Sequence, residues 1–235
     1  RERQPVVALT GAGVSTEGGI PDFRSATGIW SRYDPMEYAT IDAFKTDPEK
    51  VWSFYRLRYS ALTEAEPNDA HHALAELERL GIVSAVITQN IDLLHERAGS
   101  KDVIELHGSI RECVSLSCGS RYPLEEVLEQ LEREPVPRCT CGAVLKPGVV
   151  MFGELLDSES IDRAFKLARE ADAMLVVGST LEVQPVAGLP WETLTAGGEV
   201  AIVNLGPTAF DARATLKVDG KAGEVLRSVV ERLGG

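Results

Sequence analysis

The sequence predicts an α/β fold, an open parallel sheet interrupted by two inserted segments. Three observations carry that expectation. Apolar, β-branched runs of strand length recur along the chain. Amphipathic helical patterns lie between them, and polar or glycine-rich turns follow the runs. The runs cover residues 5–9, 82–88, 102–106, 173–177 and 200–204. Continuous apolar runs of this length suit strands buried on both faces, as in a parallel sheet. In the intervening segments Ala73, Leu74, Leu77 and Leu80 share one helix face; Ile161, Ala164, Phe165 and Ala168 share a second; Val225, Leu226, Val229 and Leu233 share a third. The turns after the runs include Gln89-Asn90-Ile91-Asp92, His107-Gly108, Gly178-Ser179-Thr180 and Leu205-Gly206-Pro207. Open sheets of this class bind ligands at the strands' carboxyl ends, so these turns should converge on one site.

Residues 1–25, 68–110 and 148–235 are assigned to the main domain. Residues 26–67 hold most of the aromatics, including Trp30, Phe54, Tyr55 and Tyr59, and are expected to form a helical insert. Residues 111–147 hold all four cysteines and are expected to form a second, smaller module.

The bulk composition of the 235 residues, 44% hydrophobic and 26% charged, is that of a globular chain. No apolar run approaches the roughly 18 residues a bilayer span requires, and no signal peptide is visible, so the expected setting is cytoplasmic with no membrane partner. A net charge of −12 argues against nucleic acid, which is bound through clustered Lys and Arg. An acidic surface steers basic ligands such as lysine-rich protein segments, although solubility is the plainer reading of the charge.

The first turn is the most informative. Gly11-Ala12-Gly13-Val14-Ser15 follows the first apolar run, and the loop continues through Gly19-Ile20-Pro21-Asp22-Phe23-Arg24-Ser25. Glycines let the main chain approach a pyrophosphate closely, which points to a dinucleotide. A hydride-transfer fingerprint would place a third glycine where Thr16 stands and would begin a helix at once. This loop is too irregular for that helix and carries reactive side chains, so the bound cofactor is expected to be worked on.

Cys113 and Cys118 are separated by four residues, Cys139 and Cys141 by one, and the two pairs by twenty. Four thiolates bind tetrahedral zinc in closed, structural sites. Cys118-Gly119 and Cys141-Gly142 suit knuckles whose amides turn back toward thiolates. Leu124, Val127, Leu128 and Leu131 form a short helical stripe that packs on such loops. Disulfides are the alternative, disfavoured where thiols are kept reduced. One structural zinc, held by Cys113, Cys118, Cys139 and Cys141, is the expectation.

Several ordered motifs identify a resemblance. The loop from Gly11 to Ser25, then Thr88-Gln89-Asn90-Ile91-Asp92-Leu93-Leu94-His95, Leu106-His107-Gly108, Pro147-Gly148-Val149-Val150-Met151-Phe152-Gly153-Glu154 and Gly178-Ser179-Thr180-Leu181-Glu182-Val183 together resemble a sirtuin of the bacterial type. The resemblance implies a Rossmann-like domain that uses NAD as a consumed co-substrate. It implies lysine deacylation, with attack of the acyl oxygen on the nicotinamide ribose, and products nicotinamide, free lysine and O-acyl-ADP-ribose. His107 matches the general base, and an imidazole suits that task near neutral pH. Asn90 would orient the ribose and a water, and Asp92 would bind the nicotinamide carboxamide. The cofactor set implied is Gly11, Ala12, Gly13, Ser15, Asp22, Phe23, Arg24, Trp30, Gln89, Asn90, Ile91, Asp92, Gly178, Ser179, Thr180, Asn204, Leu205, Gly206 and Ala222. Val149, Val150, Phe152, Gly153 and Val183 would line the groove where an acyl-lysine protein adds as an extended strand. His71, His72 and His95 fall on helical patterns and are expected to be structural.

Tyr55 and Arg58 stand three apart, on one face of a helix. They resemble the Tyr-x-x-Arg pair of sirtuins that accept succinyl- or malonyl-lysine. A guanidinium bonds a carboxylate bidentately, and a phenol adds a further bond. Two other functions remain open here: transfer of ADP-ribose to protein, and a catalytically silent NAD-binding module.

Overall fold

The computed structural model describes residues 5–234. Its main sheet has six parallel strands: β1 (Val6–Thr10), β2 (Val83–Thr88), β3 (Val103–Glu105), β7 (Ala173–Val177), β8 (Glu199–Asn204) and β9 (Leu216–Asp219), in the spatial order β3-β2-β1-β7-β8-β9. A second, antiparallel sheet places β4 (Gly108–Ser115) between β5 (Arg121–Pro123) and β6 (Leu145–Val149). Five of the six parallel strands correspond to the apolar runs. The sixth, β9, alternates and sits at the edge with Leu216 exposed, so it lacks the continuous apolar signature of a buried strand.

Helices cover both faces of the large sheet. On one, α7 (Ser158–Glu170) and α8 (Leu189–Thr195) pack Ala164, Ala168 and Leu189 on Val7, Leu9, Met174 and Val176. On the other, α4 (Asp69–Arg79) and α9 (Ala222–Gly234) enclose Ala73, Leu74, Leu77 and Leu226 with Ala8, Val86 and Val177. In α9 the expected face is corrected. Ala222, Leu226, Val230 and Leu233 turn to the core, and Val229 is exposed because a four-residue step follows the inner face here.

Residues 35–64 fold as α1 (Pro35–Tyr38), α2 (Ile41–Thr46) and α3 (Pro48–Glu64). Asp34, Thr40 and Asp47 accept backbone N–H groups at the three N-termini, and Pro35 and Pro48 occupy first-turn positions. The aromatic face of α3 and the small sheet share one core. Trp52, Tyr59, Phe54, Val127, Leu131 and Leu145 all belong to it. The short α6 (Leu124–Leu131) buries Leu124, Val127 and Leu131 there, with Leu128 partly covered. A buried polar bond pins the join: Trp52 Nε1 donates to the Leu145 carbonyl at 2.7 Å.

Trp52→Phe keeps most of the apolar volume but deprives that carbonyl of its donor. The expected loss is about 1–3 kcal/mol of unfolding free energy, read by urea denaturation with the Tm lowered and the far-UV spectrum preserved.

Candidate active site

The strand order reverses beside β1, whose neighbours are β2 and β7, and ligands of open sheets bind at such points. A cavity of about 900 Å³ opens there, lined by the turns after β1, β2, β3, β7 and β8. Every residue of the expected cofactor and acyl-lysine sets reaches it except Gly206. Gly206 instead donates its amide to Asp219 and lends its carbonyl to Asn204 and Lys217, closing a turn behind the wall. Residues 16, 17, 20, 21 and 182, within the ordered motifs but outside the expected cofactor set, also line the cavity; so do residues 62, 184 and 220–221, which stand outside those motifs and gave no signal in the sequence.

The loop after β1 makes two 3-10 turns, at Ala12–Val14 and Thr16–Gly18, and reaches Gly19 at φ +87°. It lies directly on the loop after β7. Gly13 donates to the Gly178 carbonyl at 2.8 Å. A methyl at Gly178 would sit 2.2 Å from the Val14 nitrogen, and Gly178 itself holds φ +61°. The glycines therefore serve loop-on-loop contact as well as an open cradle.

Asp92 is buried. One of its carboxylate oxygens accepts Ser15 Oγ at 2.7 Å and Asn90 Nδ2 at 3.2 Å; the other accepts the Leu94 amide at 3.0 Å. Asn90 Nδ2 also donates to Ser15 Oγ at 3.0 Å, so the three side chains form a closed triangle. Behind it His71 caps α4 with Asn68 and places Nε2 3.3 Å from Ser15 Oγ. His95 places Nε2 2.9 Å from Thr10 Oγ1, while its Nδ1 has no partner. His71 and His95 are buried with rings 4.9 Å apart. Burial pushes their pKa values down to about 4 and about 3. Both helical histidines are thus packed behind the site, and His71 touches the Asp92 triangle through Ser15, a contact that helix periodicity conceals. His72 is exposed.

His107 sits in the turn between β3 and β4. Its Nδ1 lies 3.1 Å from the Gln89 carbonyl, which accepts a proton only if Nδ1 carries it. Nε2 is then the free acceptor of a neutral ring. Burial lowers the His107 pKa below 6.5, with the Gln89 bond opposing it. The His107 carbonyl in turn accepts the Val150 amide at 2.8 Å, tying this turn to the groove segment.

The groove segment is fixed on both sides. Phe152 pairs with residues 39–41 through Phe152 N to the Ala39 carbonyl and Ile41 N to the Phe152 carbonyl. Beneath it the buried Lys146 ammonium donates to the carbonyls of Pro147 and Val149 and meets Glu154 at 3.0 Å. Gln89 Nε2 donates to Ser179 Oγ at 2.9 Å. Arg24 pairs with Glu182 at 3.0 Å on an exposed rim, and Asp22 caps its own loop by accepting the amides of Arg24 and Ser25.

On α3 Tyr55 is buried, and burial pushes its phenol up to about 12. The partly buried Arg58 guanidinium lies 4.8 Å above the Phe23 ring and 5.7 Å from that of Phe54. Among the described residues no carboxylate forms an ion pair with it. Burial lowers its pKa.

The cysteines are arranged otherwise than expected. Cys118, Cys139 and Cys141 bring their sulfurs within 4.8 Å of one another, on loops turned by Gly119 (φ +73°) and Gly142 (φ +88°). Cys113 stands outside that group. It is fully buried in the apolar core, 3.8 Å from the Tyr59 hydroxyl, and burial pushes its thiol up to about 11. Its place on β4 turns it toward α3, away from the two knuckles. The donor chemistry of the remaining three fits a structural zinc, with each thiolate an effective ligand.

Fold and cleft together define a Rossmann-like protein with its site at the switch point. Residues 11–185 match the Sir2 family. Over 230 residues the chain is 48% identical to an NAD-dependent protein deacylase of Pyrococcus furiosus, covering 97% of this chain and 92% of that protein. It is 45% identical to an NAD-dependent protein deacetylase of Thermotoga maritima, covering 99% and 95%. A Sir2 structure with a deacetylated p53 peptide and 3′-O-acetyl ADP ribose superposes with a TM-score of 0.95 at 44% identity, covering 99% of this chain and 95% of that one. Sir2Tm bound to a propionylated peptide gives 0.91 at 44% identity, covering 99% and 94%. This chain belongs to the Sir2 family. No helix among the described residues is long and apolar enough to cross a membrane.

The buried histidines make stability pH-dependent. Unfolded, His71 and His95 bind protons as pH falls below about 6.5, whereas folded they resist until about 4 and about 3. The unfolded state therefore gains protons first, and stability falls with pH across that window. Urea unfolding at pH 7.5 and pH 5 should differ by several kcal/mol, on the order of one per pH unit per histidine, with the difference reduced in His95→Gln.

Proposed function

We propose that this chain is an NAD-dependent protein-lysine deacylase that accepts acetyl-lysine and favours succinyl- or malonyl-lysine. The observation that carries the acyl preference is the Arg58 guanidinium, desolvated against Phe23 beside Tyr55, with no ion pair to a carboxylate among the described residues and, of the carboxylates, only the longer-range field of Asp92 opposing its burial. A charge held this way is costly unless the ligand brings the counter-charge. A succinyl or malonyl tip does so, with the Tyr55 hydroxyl as a further donor. An acetyl tip leaves the cost standing without blocking entry.

NAD, consumed in the reaction, supplies a glycosidic bond whose cleavage releases nicotinamide and gives 2′-O-acyl-ADP-ribose. The chain's own residues divide the remaining work. The glycine loops and Ala222, at the start of α9, leave room for phosphate and adenosine, and Glu17 fixes that helix start by accepting the Gly223 amide at 2.8 Å. Asp92, held by Ser15 and Asn90, presents a fixed carboxylate for a carboxamide. His107 keeps Nε2 unprotonated to take a ribose proton, and Phe23 and Trp30, with rings 5.1 Å apart, exclude water from the reacting carbon. The groove residues 149–153 and Val183 hold the substrate backbone as an added strand.

Matched acetyl- and succinyl-lysine peptides, followed by mass spectrometry with and without NAD, test the reading. Succinyl removal should be faster, and Arg58→Met should lower its kcat/KM about ten- to a hundredfold, the worth of a charge-assisted bond, while acetyl removal falls less. Faster acetyl removal unaffected by Arg58→Met would sink the acyl preference. NAD consumption with neither peptide deacylated would favour ADP-ribosyl transfer.

The pH profile gives a second check. The active base is the neutral ring, and its pKa is lowered. Activity should therefore persist as pH falls to 6.5 and decline only below it, with the acid limb of kcat/KM abolished along with turnover in His107→Ala.

A further inference from the structure

The cysteine cluster has three thiol corners, whereas tetrahedral zinc takes four ligands. Cys113, the remaining thiol, lies in the core against Tyr59 and does not join it. Three hydroxyls lie within 3.5 Å of the cluster's sulfurs: exposed Ser120 at 3.2 Å from Cys118 Sγ, half-buried Tyr122 at 3.4 Å from Cys139 Sγ, and, fully buried two residues beyond Cys113 on β4, Ser115. Its hydroxyl is buried, lies 3.5 Å from Cys141 Sγ and receives the Cys118 amide at 3.4 Å. With Zn–S near 2.3 Å and Zn–O near 2.0 Å, a tetrahedral S–Zn–O edge measures about 3.5 Å and an S–Zn–S edge about 3.8 Å. The Ser115–Cys141 separation matches the mixed edge, and the Cys118–Cys139 sulfurs, 3.5 Å apart, approach the other. Ser115 and Cys118 also stand at the spacing of a zinc knuckle, with Gly119 completing the turn.

We propose that this protein binds one zinc ion in a three-thiolate, one-oxygen site. Cys118, Cys139 and Cys141 are the thiolates, and the fourth vertex is an oxygen at Ser115, either its hydroxyl or a water it holds. Cys113 is not a ligand. The oxygen vertex is the weakest bond of the set, because thiolate is the better donor for this ion. The site is consequently open and exchangeable where a four-thiolate site is closed. This inference stands on the cluster alone and is independent of the acyl preference.

Cobalt(II) replacement tests it directly, because thiolate-to-cobalt charge-transfer intensity counts sulfur ligands. The unmodified protein should bind one metal per chain with the intensity of three thiolates. Cys113→Ser should keep both stoichiometry and spectrum. Ser115→Cys should raise the charge-transfer intensity by about one third and tighten zinc in a chelator competition by about tenfold or more. Ser115→Ala separates the two oxygen sources: a shifted cobalt d–d spectrum means the hydroxyl ligates, and an unshifted one means water does; both support the open vertex. Four-thiolate intensity in the unmodified protein overturns the proposal, as do one thiolate lost in Cys113→Ser, no gain in Ser115→Cys, or no bound metal. Should Cys113→Ser fail to fold, the unmodified protein's spectrum still decides.

Discussion

The contact of two glycine loops at the switch point is the constraint on which the rest of the site depends. Gly13 donates to Gly178, and no side chain fits between the turns after β1 and β7. That approach sets the depth of the cleft and brings Ser15 within reach of Asp92 and Gln89 within reach of Ser179. A parallel sheet supplies the strand ends, but their polar turns would splay without it. The left-handed Gly178 is therefore a structural keystone as much as part of a binding wall.

The other half of the site rests on a shared core. The helices of residues 35–64 and the small sheet bury their apolar faces in one another, through Trp52, Tyr59, Val127 and Leu145. Tyr55 and Arg58 ride on the same α3 that anchors this core, so that end of the cavity is built on it. Cys113 belongs to this packing too, which explains why a cysteine close in sequence to the knuckles is absent from them.

Much of this was legible in the sequence because the signals were continuous or ordered. Five apolar runs with polar ends foretold five of the parallel strands, and fold rules gathered their turns. The edge strand β9 was missed since Lys217 and Asp219 alternate with Leu216 and Val218 and break the apolar run. Gly206 stands off the cavity wall that its neighbours Leu205 and Pro207 reach, held by bonds to Asp219 and Lys217 that no local pattern shows. Helix periodicity marked His71 and His95 as structural, but not that His71 touches Ser15 from behind the site. Counting cysteines put all four together where the structure groups three, because spacing along the chain does not say which face of a strand turns inward. Ser115, a serine among cysteines, carried no signal until its hydroxyl was seen beside Cys141.

The groove segment has a consequence for which proteins can be modified. Lys146 clamps its underside, Phe152 is bridged to residues 39–41, and Val150 hangs from the His107 carbonyl. Under the proposed function such a rail would recognise the peptide backbone of a substrate, and a lysine inside a helix or a paired strand has no free backbone to offer. Under the proposed reaction, target choice then follows the local unfolding free energy of the segment around each acyl-lysine. Tails, loop tips and fraying termini would turn over first, and a stabilising partner of the target would shield it without touching the enzyme.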